Sequence, residues 1–247
     1  MLQKPVCLSN QQLQQWRDIV LSAYPDEAVA LVVGADVVRV DNISDTPDKA
    51  FKIDPAQYLM NQPEALLHSH VYQIGVAVQH GYDLRTPSYS DFQHQRQTGI
   101  PWGISATDGE AVSDLLWFPQ SRNADLLGRK FCYYVNDCYT LIRDYYYQNR
   151  GIILQDYPDV DVYNRGNGIT YQPYLTNLAD FGFEQIPLSQ AEPGDMLLMK
   201  MQSDYDHGAV MIDQTRVLNQ FENKLSAYYS IGKLRSFIRG AARYCGE

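Results

Sequence analysis

The sequence predicts a mixed α+β protein of two domains, and three observations predict it. Its 247 residues exceed one ordinary domain of about 100–150 residues, and 45% apolar content supplies material for two cores. Both halves interleave helical periodicity with apolar runs of strand length. A polar stretch opened by proline, PQSRNADLLG at 119–128, falls near the middle. We place a first domain at 1–119, a linker at 120–127 and a second domain at 128–247.

Leu13, Trp16, Val20 and Ala23 share one face of a predicted helix over 9–24, capped by Ser9 or Asn10 and stopped by Pro25. EAVALVVGADVVRVDNIS, from Glu27, reads as two strands about a turn at Gly34. DPAQYLM is a short helix with Asp54 as cap and Pro55 at its first position. ALLHSHV is an apolar strand, followed by a polar loop up to Thr86. PSYSDFQHQRQTG is a helix ended by Gly99, and PWGIS and EAVSDLLWF are closing strands. In the second half, NDCYTLIRDYYYQNRG places Leu141, Ile142, Tyr145 and Tyr146 on one helical face, with Gly151 after the last turn. Residues 152–176 are poorly periodic and read as a substrate-facing loop. LTNLADFGFEQIP reads as helix and turn, AEPGDMLLMKM as turn and strand, and HGAVMID with RVLNQF as an antiparallel pair.

Composition narrows the function. The net charge of −9 argues against a nucleic-acid binder and against a polybasic membrane anchor. No apolar run approaches the roughly 18 residues of a membrane span, so no membrane insertion is expected. The opening residues lack the apolar core of a secretory signal, and Cys7, Cys132, Cys138 and Cys245 form no metal or disulfide framework. The expectation is a chain made and folded in a reducing cytoplasm. The 19 tyrosines read chiefly as core and interface residues, each with an apolar body and a polar tip.

Two constellations carry chemistry. His68 and His70 are two apart on a strand, so both imidazoles leave the same face and can share one Zn²⁺. Asp91, in the first turn of the next helix, is the best third ligand, with Ser88 three residues before it; Glu27 is the candidate general base. The Ser88 to Asp91 spacing also suits a capping box. In the second half Asp137 caps a helix whose first residue is Cys138. The free N–H groups and the positive end of the macrodipole favour the thiolate there, below the usual thiol pKa of about 8.5. A nucleophile needs a base and a group to orient it. His207 opens a strand and supplies the base. If Ala209 faces Asn219 across the hairpin, Asn219 orients it; a slip of one residue brings Gln220 there instead.

Glu27 in DEAVALVVG, HSH at 68–70 and Ser88 to Asp91 in PSYSD resemble the JAB/JAMM metallopeptidases. The resemblance implies Zn²⁺ held by His68, His70 and Asp91, Glu27 as acid/base and Ser88 at the oxyanion. Val71 stands where that family usually has proline. NDCYTLIRDYY, AEPGDMLLMK and DHGAVMID resemble the NlpC-type cysteine peptidases, which have a papain-like α+β fold and cut peptide stems of bacterial cell walls. That resemblance implies Cys138 as nucleophile, His207 as base and Asn219 as third member. Tyr133 and Tyr134 replace the glycine-rich sequence of many members. The two domains in this order resemble the lambda-type phage tail-tip assembly proteins. Bacterial peptidoglycan and other tail-tip proteins are the implied partners. The implied locations are the host cytoplasm during assembly and then the virion tail tip at the bacterial envelope. The competing reading is a structural tail component with one or both sites vestigial.

Overall fold

In a computed structural model the chain divides into two units, Met1–Ser121 and Arg122–Glu247. The structure describes residues 6–72, 83–156, 173–201 and 205–246. Most of the loop expected before Thr86 and of the one expected over 152–176 lies outside the described residues. No helix among the described residues is long and apolar enough to cross a membrane.

The first unit is built on one apolar helix face. Ser9 and Gln12 close a capping box on α1 (Asn10–Ala23). Trp16 and Val20 are thereby directed into a core with Ala30, Val32, Val37 and Leu67. These come from β1 (Val29–Val33), β2 (Asp36–Val40) and β3 (Ala65–Val71). Asp54 and Pro55 start α2 (Pro55–Asn61) as the sequence indicates. The sheet runs β2-β1-β3-β4-β5, with β4 at Trp102–Thr107 and β5 at Leu116–Phe118. Only the β3–β4 pairing is parallel, because α3 (Tyr89–Thr98) crosses between these strands. This crossover sets the start of α3 beside the carboxyl end of β3. The expected strand EAVSDLLWF is shorter than read: β5 keeps Leu116–Phe118, and Asp108 turns the preceding residues by accepting from the N–H groups of Glu110 and Ala111.

In the second unit Asp137 and Thr140 close a capping box on α4 (Cys138–Arg150), and Gly151 ends it in the left-handed conformation at φ 68°. Leu141, Ile142 and Tyr146 are buried, and so are Arg143 and Asp144, which amphipathic patterning does not anticipate. The Asp144 carboxylate accepts from Arg129 at 2.7 Å and Arg143 at 3.1 Å, and Arg143 also reaches Asp156 at 2.9 Å. Breaking such a buried set leaves a charge without a partner, at a cost of about 3–5 kcal/mol.

After α5 (Pro173–Asn177) comes an antiparallel sheet in the order β10-β9-β8-β7-β11-β6. Its strands are β6 (Phe183–Ile186), β7 (Met196–Met199), β8 (His207–Met211), β9 (Arg216–Asn219), β10 (Ala227–Ser230) and β11 (Ile238–Tyr244); a short α6 (Ile231–Leu234) precedes the last. FEQI, read as part of a helix and turn, is the edge strand β6, drawn into the sheet by pairing with β11. Helix α4 packs against β8.

Candidate active site and metal centre

The first unit gathers its ligands at the end of β3. His68 is fully buried, tilted against Phe51 with ring centroids 4.6 Å apart. His70 Nδ1–H donates to the Leu84 carbonyl at 2.9 Å, so Nε2 is the nitrogen left with a lone pair, 3.7 Å from Asp91 Oδ2. One ligand atom from each of His68, His70 and Asp91 falls within 4.8 Å of the other two. Both ring nitrogens of His68 are buried and, among the described residues, have no hydrogen-bond partner. A buried polar atom so left costs about 1–3 kcal/mol, which a bound cation removes for the one nitrogen it takes. Two neutral imidazoles and a carboxylate form a donor set suited to Zn²⁺.

The electrostatics of His68 and Asp91 agree with that donor set; at His70 burial lowers the pKa, but Asp91, the Leu84 carbonyl and Glu27 outweigh it and raise the pKa overall. Burial pushes the His68 pKa down to about 3, so the ring is neutral. Burial opposes the Asp91 carboxylate, yet His68, His70 and Ser88 together hold its pKa well below the usual range. Glu27 precedes β1, and that strand start is tied to β3 by the Ala28 N–H donating to Ser69 Oγ at 2.8 Å. Burial pushes the Glu27 pKa up to about 7, with His70 lowering it and Asp91 raising it. Ser88 is the N-cap of α3: its Oγ accepts from the Asp91 N–H at 3.1 Å, and Asp91 Oδ2 accepts from the Ser88 N–H at 2.8 Å. The capping box and the ligand cluster therefore share Asp91.

In the second unit Cys138 stands at the first position of α4. The hairpin register pairs Val210 with Leu218, and continuing it sets Ala209 opposite Asn219. Asn219 Oδ1 accepts from His207 Nε2–H at 2.7 Å, which leaves Nδ1 of His207 with the lone pair. Gln220 is directed elsewhere: its amide donates to the carbonyls of Arg129 at 3.2 Å and Lys224 at 2.7 Å. Phe221 stacks on the His207 ring at 5.2 Å, nearly parallel.

The expectation of a thiolate stabilised by the helix start is corrected. Burial first, and the Asp137 carboxylate second, push the Cys138 pKa up to about 12. Hydrogen bonds from the Tyr174 hydroxyl and the Gly208 and Tyr139 N–H groups act in the other direction without prevailing. The N-cap carboxylate is the reason: Asp137 accepts from the Thr140 and Tyr134 N–H groups, so the residue that satisfies the helix start also sets a negative charge beside the sulfur.

The second unit holds the match to the NlpC/P60 family, at residues 127–235. Tail tip assembly protein K of Escherichia phage lambda is 36% identical over 144 residues, covering 54% of this chain and 70% of that protein. The chain belongs to the tail tip assembly protein K family. The member from Escherichia phage N15 is 27% identical over 207 residues, covering 82% of this chain and 81% of its own. A solved structure of an NLP/P60-family, lipoprotein-like protein from Staphylococcus aureus aligns at 16% identity and TM-score 0.34, covering 49% of this chain and 38% of that one. In this family member, sequence reasoning missed Tyr174, whose hydroxyl meets Cys138 Sγ at 3.1 Å. It also missed the Leu84 carbonyl behind His70. Neither carries a local signal: Tyr174 is 36 residues from Cys138, and Leu84 is 14 from His70.

Proposed function

We propose that the second unit is a thiol peptidase that cleaves stem peptides of bacterial peptidoglycan from a phage tail tip. The observation that carries this reading is the 2.7 Å bond between His207 Nε2–H and Asn219 Oδ1, on a strand packed against the helix that begins with Cys138. Cys138 Sγ attacks the amide carbonyl carbon while its proton passes to Nδ1 of His207. The carbonyl π pair moves to oxygen and then returns, breaking the C–N bond, and His207 gives the proton to the departing amine. Water then hydrolyses the thioester with His207 again as base. Because the resting thiol is neutral, proton transfer to His207 accompanies attack rather than preceding it. Asn219 holds the ring through both transfers.

The first unit is read as a JAB/JAMM-like zinc peptidase domain, with 1–119 and 128–247 as the two domains about a linker at 120–127. His68, His70 and Asp91 hold Zn²⁺, Glu27 moves protons and Ser88 steadies the oxyanion while capping α3. A Zn²⁺ ion there supplies Lewis acidity toward a carbonyl or water. Support for this half comes from the two orphaned nitrogens of His68. Other tail-tip proteins are its neighbours; neither nucleic acid nor membrane insertion has a role. The chain works in the host cytoplasm during assembly and at the bacterial envelope afterwards.

Release of soluble product from purified peptidoglycan tests the proposal, comparing wild type and Cys138→Ala with and without a chelator. Release lost in Cys138→Ala and kept under chelation is expected. Equal release from both proteins sinks the thiol mechanism, and release lost only under chelation moves wall cleavage to the metal centre. No release from either returns the chain to a structural role in the tail.

A further inference from the structure

We propose that Tyr174 is a further catalytic residue of the thiol centre: its hydroxyl is the donor that carries the negative charge of Cys138 Sγ as the thiol gives up its proton. The inference rests on the reading of Cys138 as nucleophile. Tyr174 lies on α5, its side chain is buried, and its Oη–H donates to Sγ at 3.1 Å. The ring has a slot made for it. A Cβ on Gly208 would lie 2.8 Å from Tyr174 Cε1 and Cζ and 2.8 Å from Ile142 Cδ1, so only glycine beside His207 lets α4, α5 and β8 meet around the sulfur. Tyr139 borders the ring edge-on, with centroids 6.5 Å apart. Burial, reinforced by the adjacent thiol, holds the phenol pKa well above its ordinary value, so Tyr174 keeps its proton throughout and serves as donor only.

The arrangement compensates for the cost found at Cys138. A half-buried sulfur, partly withdrawn from water and beside Asp137, ionises with difficulty, and hydrogen bonds to the anion are what offset this. The Tyr139 and Gly208 N–H groups are backbone and present whatever the side chains. Among the described residues Tyr174 is the side-chain donor at the sulfur, and therefore the one that substitution can remove. The step balances without any other reactant: the Sγ proton goes to His207 Nδ1, the electron pair stays on sulfur, and the phenol O–H remains intact.

The test uses the full chain with the exposed cysteines removed, Cys7→Ser and Cys245→Ser, and follows alkylation by iodoacetamide between pH 6 and pH 10, with Cys138→Ala as background. In Tyr174→Phe the alkylation rate at pH 8 falls about tenfold, as expected for loss of one hydrogen bond to a charged atom. The kcat for wall release falls by a similar factor with KM unchanged. Unchanged or faster alkylation overturns the inference, because it makes the hydroxyl a shield over the sulfur. A second variant guards against a folding defect: 3-fluorotyrosine at position 174 keeps the ring and is the stronger donor. It raises the alkylation rate; no change, or a fall, overturns the inference. Alkylation needs no wall substrate, so it decides the role of Tyr174 even where wall release is absent and the proposed function is what has failed.

Discussion

Asp91 and Cys138 each stand in the first turn of a helix closed by a capping box, and each helix is set beside a strand that bears histidine. The ionisation states nevertheless diverge. Asp91 is held as a carboxylate by the two imidazoles, whereas Cys138 is held as a thiol by burial and by its own N-cap. A helix start does not by itself decide the charge of the residue placed there. The partial positive charge of free N–H groups falls off within a turn, and a full charge on the capping side chain outweighs it. The histidines differ in the same way. Among the described residues neither His68 nitrogen has a partner, and one of them is open to a cation, while His207 is already fixed through Nε2.

The largest effect belongs to the open cluster. His68→Leu keeps an apolar side chain of similar volume against Phe51 and Trp102. Losing a hydrogen-bond partner behind a ligand costs about 10–100-fold in metal affinity, and losing a ligand costs more, so the zinc Kd is expected to rise more than 100-fold. The metal-free variant, relieved of two orphaned nitrogens, unfolds at the same or higher urea concentration than metal-free wild type. Calorimetric titration with Zn²⁺ and urea melts check both halves. Unaltered zinc affinity would break the comparison at its root, since His68 would then be an ordinary core residue.

The next effect concerns the closed site and has a definite sign. A thiol with pKa about 12 carries far less thiolate at pH 8 than an exposed cysteine near 8.5. Wild-type Cys138 is therefore expected to alkylate about a thousandfold more slowly than free cysteine in solution, and more slowly than the exposed Cys7 and Cys245. Its rate should go on rising above pH 10. Mass-spectrometric peptide mapping after timed iodoacetamide pulses reads this directly. Rapid, pH-independent labelling of Cys138 would mean a resting thiolate–imidazolium pair and would restore the helix-start expectation.

Much of both sites was legible because their parts are local. His68 and His70 lie on one strand, Ser88 and Asp91 on one helix turn, and Asp137 and Cys138 are adjacent; short-range geometry determines each of these sets. What the sequence left unread depends on distant pairs. Tyr174 reaches Cys138 across 36 residues, and Arg129 meets Asp144 across 15 on a helix face that apolar patterning alone would have left to solvent. The edge strand β6 was misread for the same reason, since only pairing with β11 makes FEQI a strand. The thiol pKa was misread because the sequence shows the cap but not the burial around it.

The smallest of these effects separates two neighbouring amides, Asn219 and Gln220. Both are buried. Asn219 Oδ1 accepts from His207, so Asn219→Ala frees the ring to rotate and leaves Nε2–H unsatisfied. Wall release should then fall about 10–100-fold in kcat, the range of a lost orienting hydrogen bond on a general base. Gln220 donates to the carbonyls of Arg129 and Lys224, joining the segment before α4 to the loop after β9. Gln220→Ala should therefore cost about 1–3 kcal/mol in urea unfolding, with kcat within about threefold of wild type. The pair is informative because a one-residue slip in the hairpin exchanges the two roles. If Gln220→Ala loses activity while Asn219→Ala loses only stability, the register between β8 and β9 in solution is shifted by one residue. His207 would then be oriented by the amide that the present register turns away from it.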